Sequence, residues 1–267
     1  MSVSSIVIDA CPKDNLDLLL ECVRDLNRRL NARLSGVSYA WPNSNALGAL
    51  VASPFAASRE EAHMKAQLAG ARRAFEAAFP ELQSEEFWCE GIGEPAGQML
   101  GDLFCADLLA TIEPVSGPCV QVDPIEIAVH SGTPVLRVRQ GVNELPLKTA
   151  VVAWKDGASA NRALRAARPL LILAGQIHVI GVGDEVSIER LEQVAAFLRR
   201  EGGKVEASHL PRTHSNPGAE IMHHALALDA DLVVSGVKGE RSLRDWVLGD
   251  VTDKLAGYAG FSWFMCA

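Results

Sequence analysis

Three glycines near the C-terminus have the spacing Gly236-x-x-Gly239-x9-Gly249. They lie between an apolar run, Leu232-Val233-Val234, and the segment Asp250-Val251-Thr252, which reads as a helix start. Glycine at 236 and 239 lets the backbone turn tightly and approach a ligand where a Cβ would intrude. The amides that open a helix have no partners within it and carry partial positive charge, so an anion can settle beside Gly249, Asp250 and Val251. The chemistry on offer is anion reception by backbone donors. Lys238 and Arg241 add two cations that can support it. Alternatively, Arg241 or Arg244 pairs with Asp250 or Asp245 and locks the loop. Asp250 places a carboxylate on the helix amides themselves, an internal cap that repels a phosphate.

No other constellation supplies a nucleophile with its base. The chain has no Gly-x-Ser-x-Gly, no Walker lysine motif and no paired catalytic carboxylates. His223 and His224 are adjacent on a predicted helix and so diverge, while His209 and His214 lack a carboxylate or thiol at metal-ligand spacing. No catalytic residue and no metal site is assigned. Cys11 follows a first strand, which allows either a reactive thiol or an incidental buried one. The six cysteines form no Cys-x-x-Cys pair, the usage of a reducing compartment.

Positioning the glycine loop takes an alternation of strands and helices. Ser4 to Asp9 reads as a strand and Asn15 to Asn31 as a helix with Leu16, Leu19, Leu20, Val23, Leu26 and Leu30 on one stripe. A strand over 34–40 and a polar loop over 41–55 follow. The capping-box pattern Ser58-Arg59-Glu60-Glu61 opens a helix that ends before Pro80. Strands are predicted over 86–92, 106–112 and 133–138, with helices over 96–104 and 122–130. After a linker over 139–147 the order restarts: strands over 148–154, 176–182, 205–210 and 231–235, a last strand over 261–266, and helices over 159–173, 187–200 and 217–228.

Two successions of this kind imply two parallel-sheet units with right-handed crossovers. Ala106-Asp107-Leu108-Leu109 matches Ala230-Asp231-Leu232-Val233, and each follows a helix opening near a proline, Pro95 and Pro217. A single undivided sheet would contradict this duplication, as would Gly236 and Gly249 on opposite sides of the molecule.

The glycine spacing, with Arg241-Ser242-Leu243-Arg244-Asp245 and Val247-Leu248-Gly249-Asp250-Val251-Thr252, resembles the nucleotide loop of the universal stress protein family. The resemblance implies a tandem form. Its fold would be α/β, two flavodoxin-like or Rossmann-like (HUP-type) domains, each a five-stranded parallel sheet flanked by helices, over residues 1–141 and 148–267. Single-domain members pair through their last strand, which implies an intramolecular pseudo-dimer and leaves open a further homodimer. The ligand implied is ATP with Mg, or another small molecule. Nucleotide-binding members place Ser or Thr where Asp250 stands, and an Asp at the end of the first strand. Asp9 holds that place in the first half. In the second half Trp154 is read there, free to stack on a base or to pack, with Asp156 two residues on. The first-half segment from Thr111 to Cys119 lacks the glycines and carries prolines and Glu113, so it receives no phosphate.

The expected function is therefore a cytoplasmic stress-response protein acting as a regulatory or ligand-binding module rather than a turnover enzyme. Two alternatives stand beside it: an ATP-dependent switch or slow ATPase using residues 236–250, and an interaction protein with vestigial pockets. The net charge of −8 argues against nucleic acid as the main partner. Residues 1–9 lack the basic and apolar regions of a secretory signal, and no 18-residue apolar run predicts a membrane span.

Overall fold

The computed structural model describes residues 3–42, 54–115, 122–211 and 217–237, together with 252, 255, 258 and 260–267. The N-terminal half runs β1 (Ser5–Asp9), α1 (Leu16–Leu30), β2 (Arg33–Ala40), α2 (Pro54–Ala78), β3 (Trp88–Ile92), α3 (Pro95–Asp102), β4 (Leu108–Ile112), α4 (Pro124–Ser131) and β5 (Val135–Val138). The C-terminal half repeats the order with β6 (Thr149–Ala153), α5 (Ala158–Leu173), β7 (Gln176–Val182), α6 (Ile188–Arg200), β8 (Val205–Leu210), α7 (Pro217–Ala227), β9 (Leu232–Gly236) and β10 (Ser262–Cys266). Thr252 and Leu255 are helical and buried between β9 and β10 in sequence.

All ten strands share one sheet, in the order β3-β2-β1-β4-β5-β10-β9-β6-β7-β8. Within each half every pairing is parallel. The halves meet at one antiparallel seam, where Trp263 faces Arg137, Phe264 faces Leu136 and Met265 faces Val135. The sheet is thus continuous yet composed of two five-stranded parallel units, and its continuity comes from the last-strand pairing that the resemblance implied.

The apolar strand runs are buried on both faces by the helices, as a parallel sheet requires. Helix α1 buries Leu16, Leu19, Leu20, Val23 and Leu26 and ends on Asn31 in the left-handed conformation, whose amide bonds to Asn27 O at 2.8 Å. Helix α2 begins at Pro54, one turn before the predicted start, so Ser58 lies inside it. Proline is suited to a first turn, where its missing amide would have been unpaired.

The matching Ala-Asp-Leu segments have a common task. Asp107 Oδ2 accepts the amides of Ser4 and Ser5 at 2.7 and 3.0 Å, and Asp231 Oδ2 accepts those of Lys148 and Thr149 at 2.7 and 3.0 Å. Each aspartate ties the first strand of its half to the fourth. This pins the register between the halves: Ser5 corresponds to Thr149, Asp9 to Ala153 and Thr111 to Ser235.

Candidate functional site

In an open parallel sheet a ligand lies beyond the strand C-termini at the point where the connections reverse direction. Here that point falls between β1 and β4 in the first half and between β6 and β9 in the second.

The first-half crevice is closed. Asp9 is 1% exposed and its Oδ2 accepts Lys13 Nζ at 2.6 Å and Thr111 Oγ1 at 2.6 Å, while Oδ1 accepts the Cys11 amide at 3.1 Å. Burial pushes the carboxyl up, but the Lys13 charge and the bonds from Lys13, Thr111 and Cys11 more than offset it and hold Asp9 below its ordinary value. The cavity lined by Asp9, Lys13, Thr111 and Glu113 measures about 20 Å³, room for a water molecule and far short of a nucleotide. The Asp9 carboxylate is engaged in an internal ion pair.

Cys11 is structural. Its Sγ accepts the Tyr39 amide at 3.2 Å, and burial, with Asp9 adjacent, pushes the thiol well up, so the reactive thiolate is not formed.

The second-half crevice is built differently. Trp154 does not occupy the place of Asp9, because the strand register gives that place to Ala153. The Trp154 amide bonds to Ile180 O at 2.7 Å, as the Ala10 amide bonds to Val37 O at 2.8 Å. Trp154 packs against the core and its Nε1 donates to Asp156 Oδ1 at 2.9 Å. Asp156 Oδ2 accepts Arg190 Nε at 3.1 Å. These contacts give Trp154 and Asp156 partners within the protein, and a nucleoside would have to compete for them. Ala153 offers no polar group, so the second half keeps no carboxylate at the end of its first strand.

Gly236 ends β9 with a direct structural demand. A Cβ there would stand 2.6 Å from Ala160 N and 2.7 Å from the carbonyl carbon of Ser159, in the first turn of α5. The absence of a side chain lets the helix start close against the strand end. Gly236→Ala is expected to lower stability by about 1–3 kcal/mol, the range for overpacking against atoms that cannot swing aside. Urea denaturation measures it, and an unchanged midpoint would show that α5 has room to shift. Val237 follows, fully buried, with its amide on Cys266 O at 2.9 Å. Lys238, Gly239, Arg241, Gly249, Asp250 and Val251 lie outside the described residues, as does Cys119.

No group of three or more His, Cys, Asp or Glu suited to a metal ion exists among the described residues. His178 Nδ1 lies 3.7 Å from Glu206 Oε2, and His209 Nε2 meets Gly183 O at 2.8 Å. Sequence reasoning passed over Lys13, whose spacing from Asp9 gave no signal. It also passed over Arg137, whose charge within the apolar run Val135-Leu136-Arg137-Val138 was a signal. No described helix is long and apolar enough to cross a membrane.

Residues 179–262 match the model of the universal stress protein family. No curated protein matches the chain. Among solved structures, a universal stress protein from Archaeoglobus fulgidus DSM 4304 aligns with a TM-score of 0.74 at 16% identity, over 99% of this chain and 96% of that one. A protein of unknown function from Pseudomonas aeruginosa PAO1 aligns with a TM-score of 0.57 at 12% identity, over 99% of this chain and 92% of that one. At such identities the likeness is one of fold. The class is an α/β chain of two tandem Rossmann-like units. The sequence match at residues 179–262 places a similarity to the universal stress protein family in the C-terminal half, and the full-length alignment, one of fold, is consistent with two tandem units.

Proposed function

We propose that this chain is a cytoplasmic stress-response module, divided into units 1–141 and 148–267. It receives one small-molecule ligand through the glycine loop of its C-terminal unit, an adenine nucleotide with Mg being the leading candidate. The observation that carries this reading is the contrast between the two crevices: the first is filled by Lys13 on Asp9, so any ligand is left to the second. The loop offers backbone amides, and Lys238 and Arg241 offer charge. A regulatory role is preferred to turnover because the sequence carries no motif that pairs a nucleophile with its base. The second reading, an ATP-dependent switch or slow ATPase, uses the same loop. The third, an interaction protein with vestigial pockets, is favoured by the internal partners of Asp156 and Trp154.

Asp250 discriminates among them. Asp250→Ser removes a like charge from the phosphate position and restores a hydroxyl donor, so Mg-ATP affinity is expected to rise about tenfold, roughly 1.4 kcal/mol. Calorimetric titration measures it. Unchanged or weaker affinity would mean that Asp250 does not face the ligand. Absence of heat in both proteins, with no rise in melting temperature, would leave the interaction reading, because a ligand bound only by the native state must stabilise it.

A further inference from the structure

The seam joins two strands that hold the same place in their units. Leu109 and Val233 stand at matching positions of β4 and β9, and their partners across the ladder are Val135 and Trp263. Continued along the strands, that count makes Leu136 equivalent to Phe264 and Arg137 to Met265. The antiparallel pairing agrees: Leu136 faces Phe264, Arg137 faces Trp263 and Val135 faces Met265. A pseudo-two-fold axis therefore passes between Leu136 and Phe264. By backbone geometry alone, either strand could pair with a second copy of itself.

Arg137 breaks the symmetry. It is 2% exposed, with its guanidinium carbon 5.3 Å from the centre of the Trp263 indole. Nη1 donates to Glu113 Oε1 at 2.8 Å within the N-terminal half. Nη2 donates across the seam to the backbone oxygens of Leu255 at 3.0 Å and Tyr258 at 2.5 Å. A buried charge is costly unless its acceptors are in place, and the planar fork draws them from both halves.

The N-terminal half offers a different set. Counted back from the strands, Leu255 corresponds to Ile127 and Tyr258 to His130. Ile127 O already accepts Ser131 Oγ at 2.7 Å, and His130 lies within α4 whereas Tyr258 is not helical. Between two N-terminal halves Arg137 would face Val135, which brings no indole. Between two C-terminal halves Met265 would face Trp263 and bring no donor to Leu255 and Tyr258. A second contact follows the same rule. The Arg139 amide donates to Ser262 Oγ at 3.1 Å, and the place of Ser262 is held in the N-terminal half by Pro134, which has no hydroxyl.

We infer that the seam is a selective interaction surface: β5 fits the β10 strand of a C-terminal unit and rejects a second N-terminal unit, with the buried Arg137 charge as the selecting element. The selection works by leaving the wrong pairing with an unserved charge. Two copies of the chain that meet at this seam do so only by exchanging halves. None of this depends on the ligand reading.

The test uses the intact chain, refolded at high concentration, oxidised and read by non-reducing electrophoresis. The Leu109 amide bonds to Pro134 O, which turns the amides of Pro134's alternate neighbours toward β4 and leaves Leu136 and Phe264 as a close, non-hydrogen-bonded pair. Leu136→Cys therefore meets its own copy only where two N-terminal halves pair. With Arg137 present, interchain disulfide is expected to stay at the level of the chain without Leu136→Cys. Adding Arg137→Met, which installs the residue found at the equivalent place in β10, is expected to raise it about tenfold, the weight of a buried charge deprived of acceptors. Arg137→Gln carries the same expectation should the methionine variant not fold. An equal yield with and without Arg137 would overturn the proposal, because the linker alone would then keep the halves together. Abundant interchain disulfide through Leu136→Cys in the presence of Arg137 would overturn it as well.

Discussion

Replacing Asp9 by Ala is expected to destabilise the protein by about 3–5 kcal/mol, because it leaves the Lys13 ammonium buried without its counter-charge. The side chains of Asp9 and Lys13 are 2% and 5% exposed and 2.6 Å apart, and the single water that the adjoining cavity could hold is no substitute for the lost counter-charge. Thr111 Oγ1 and the Cys11 amide lose an acceptor in the same step. The double change Asp9→Ala with Lys13→Met removes both charges and is expected to recover more than half of the loss, since an apolar replacement of a buried pair is often nearly neutral. The pH dependence has a definite sign. Asp9 is held below its ordinary value of 3.8, so its contribution is complete above that pH and disappears as the pH falls through the lower folded value. The stability gap between the native chain and Asp9→Asn therefore narrows only below pH 3.8. Urea midpoints across pH measure both effects. A loss under about 1 kcal/mol for Asp9→Ala, the size of an exposed pair, would show that the crevice admits water.

Trp263→Ala is expected to cost about 3–5 kcal/mol, the range for deleting a large aromatic from a packed core. Trp263 is fully buried, donates Nε1 to Ser235 Oγ at 2.9 Å and lies under the Arg137 guanidinium. Its loss leaves a cavity at the seam and an unpartnered hydroxyl in β9. Trp263→Phe keeps most of the apolar contact and forfeits the hydrogen bond, about 1–2 kcal/mol. Because Trp263 belongs to the strand that joins the halves, scanning calorimetry of the alanine variant is expected to show the two halves melting apart. A single unshifted transition would mean that the seam does not depend on this residue.

Much of the fold was legible because the chain repeats itself. The apolar runs of β4 and β9, each introduced by Ala-Asp, announced two equivalent strands, and the aspartates proved to bond equivalent amides. Strand ends were harder. Val151-Val152-Ala153-Trp154 is apolar throughout, so nothing in the residues marks Ala153 as the last of the strand; counting from the amides held by Asp231 does. The start of α2 was misplaced because a capping pattern is a local signal, and Pro54 serves a first turn equally well. At the first-half crevice, Asp9 was recognised, but its fate depended on Thr111, about a hundred residues away in sequence, and on Lys13 folding back. Such closure is a product of tertiary packing. At Gly236 the sequence suggests ligand approach, and the structure adds a packing demand, since its missing Cβ makes room for the start of α5.

The measurement that bears most directly on the account is the stoichiometry of Mg-ATP binding to the intact chain by titration calorimetry. One site per chain is predicted, of micromolar affinity, abolished by Gly239→Val. Two sites per chain would mean that the Asp9 crevice opens, and either heat that survives Gly239→Val or no heat at all would contradict the assignment of the ligand to the C-terminal glycine loop.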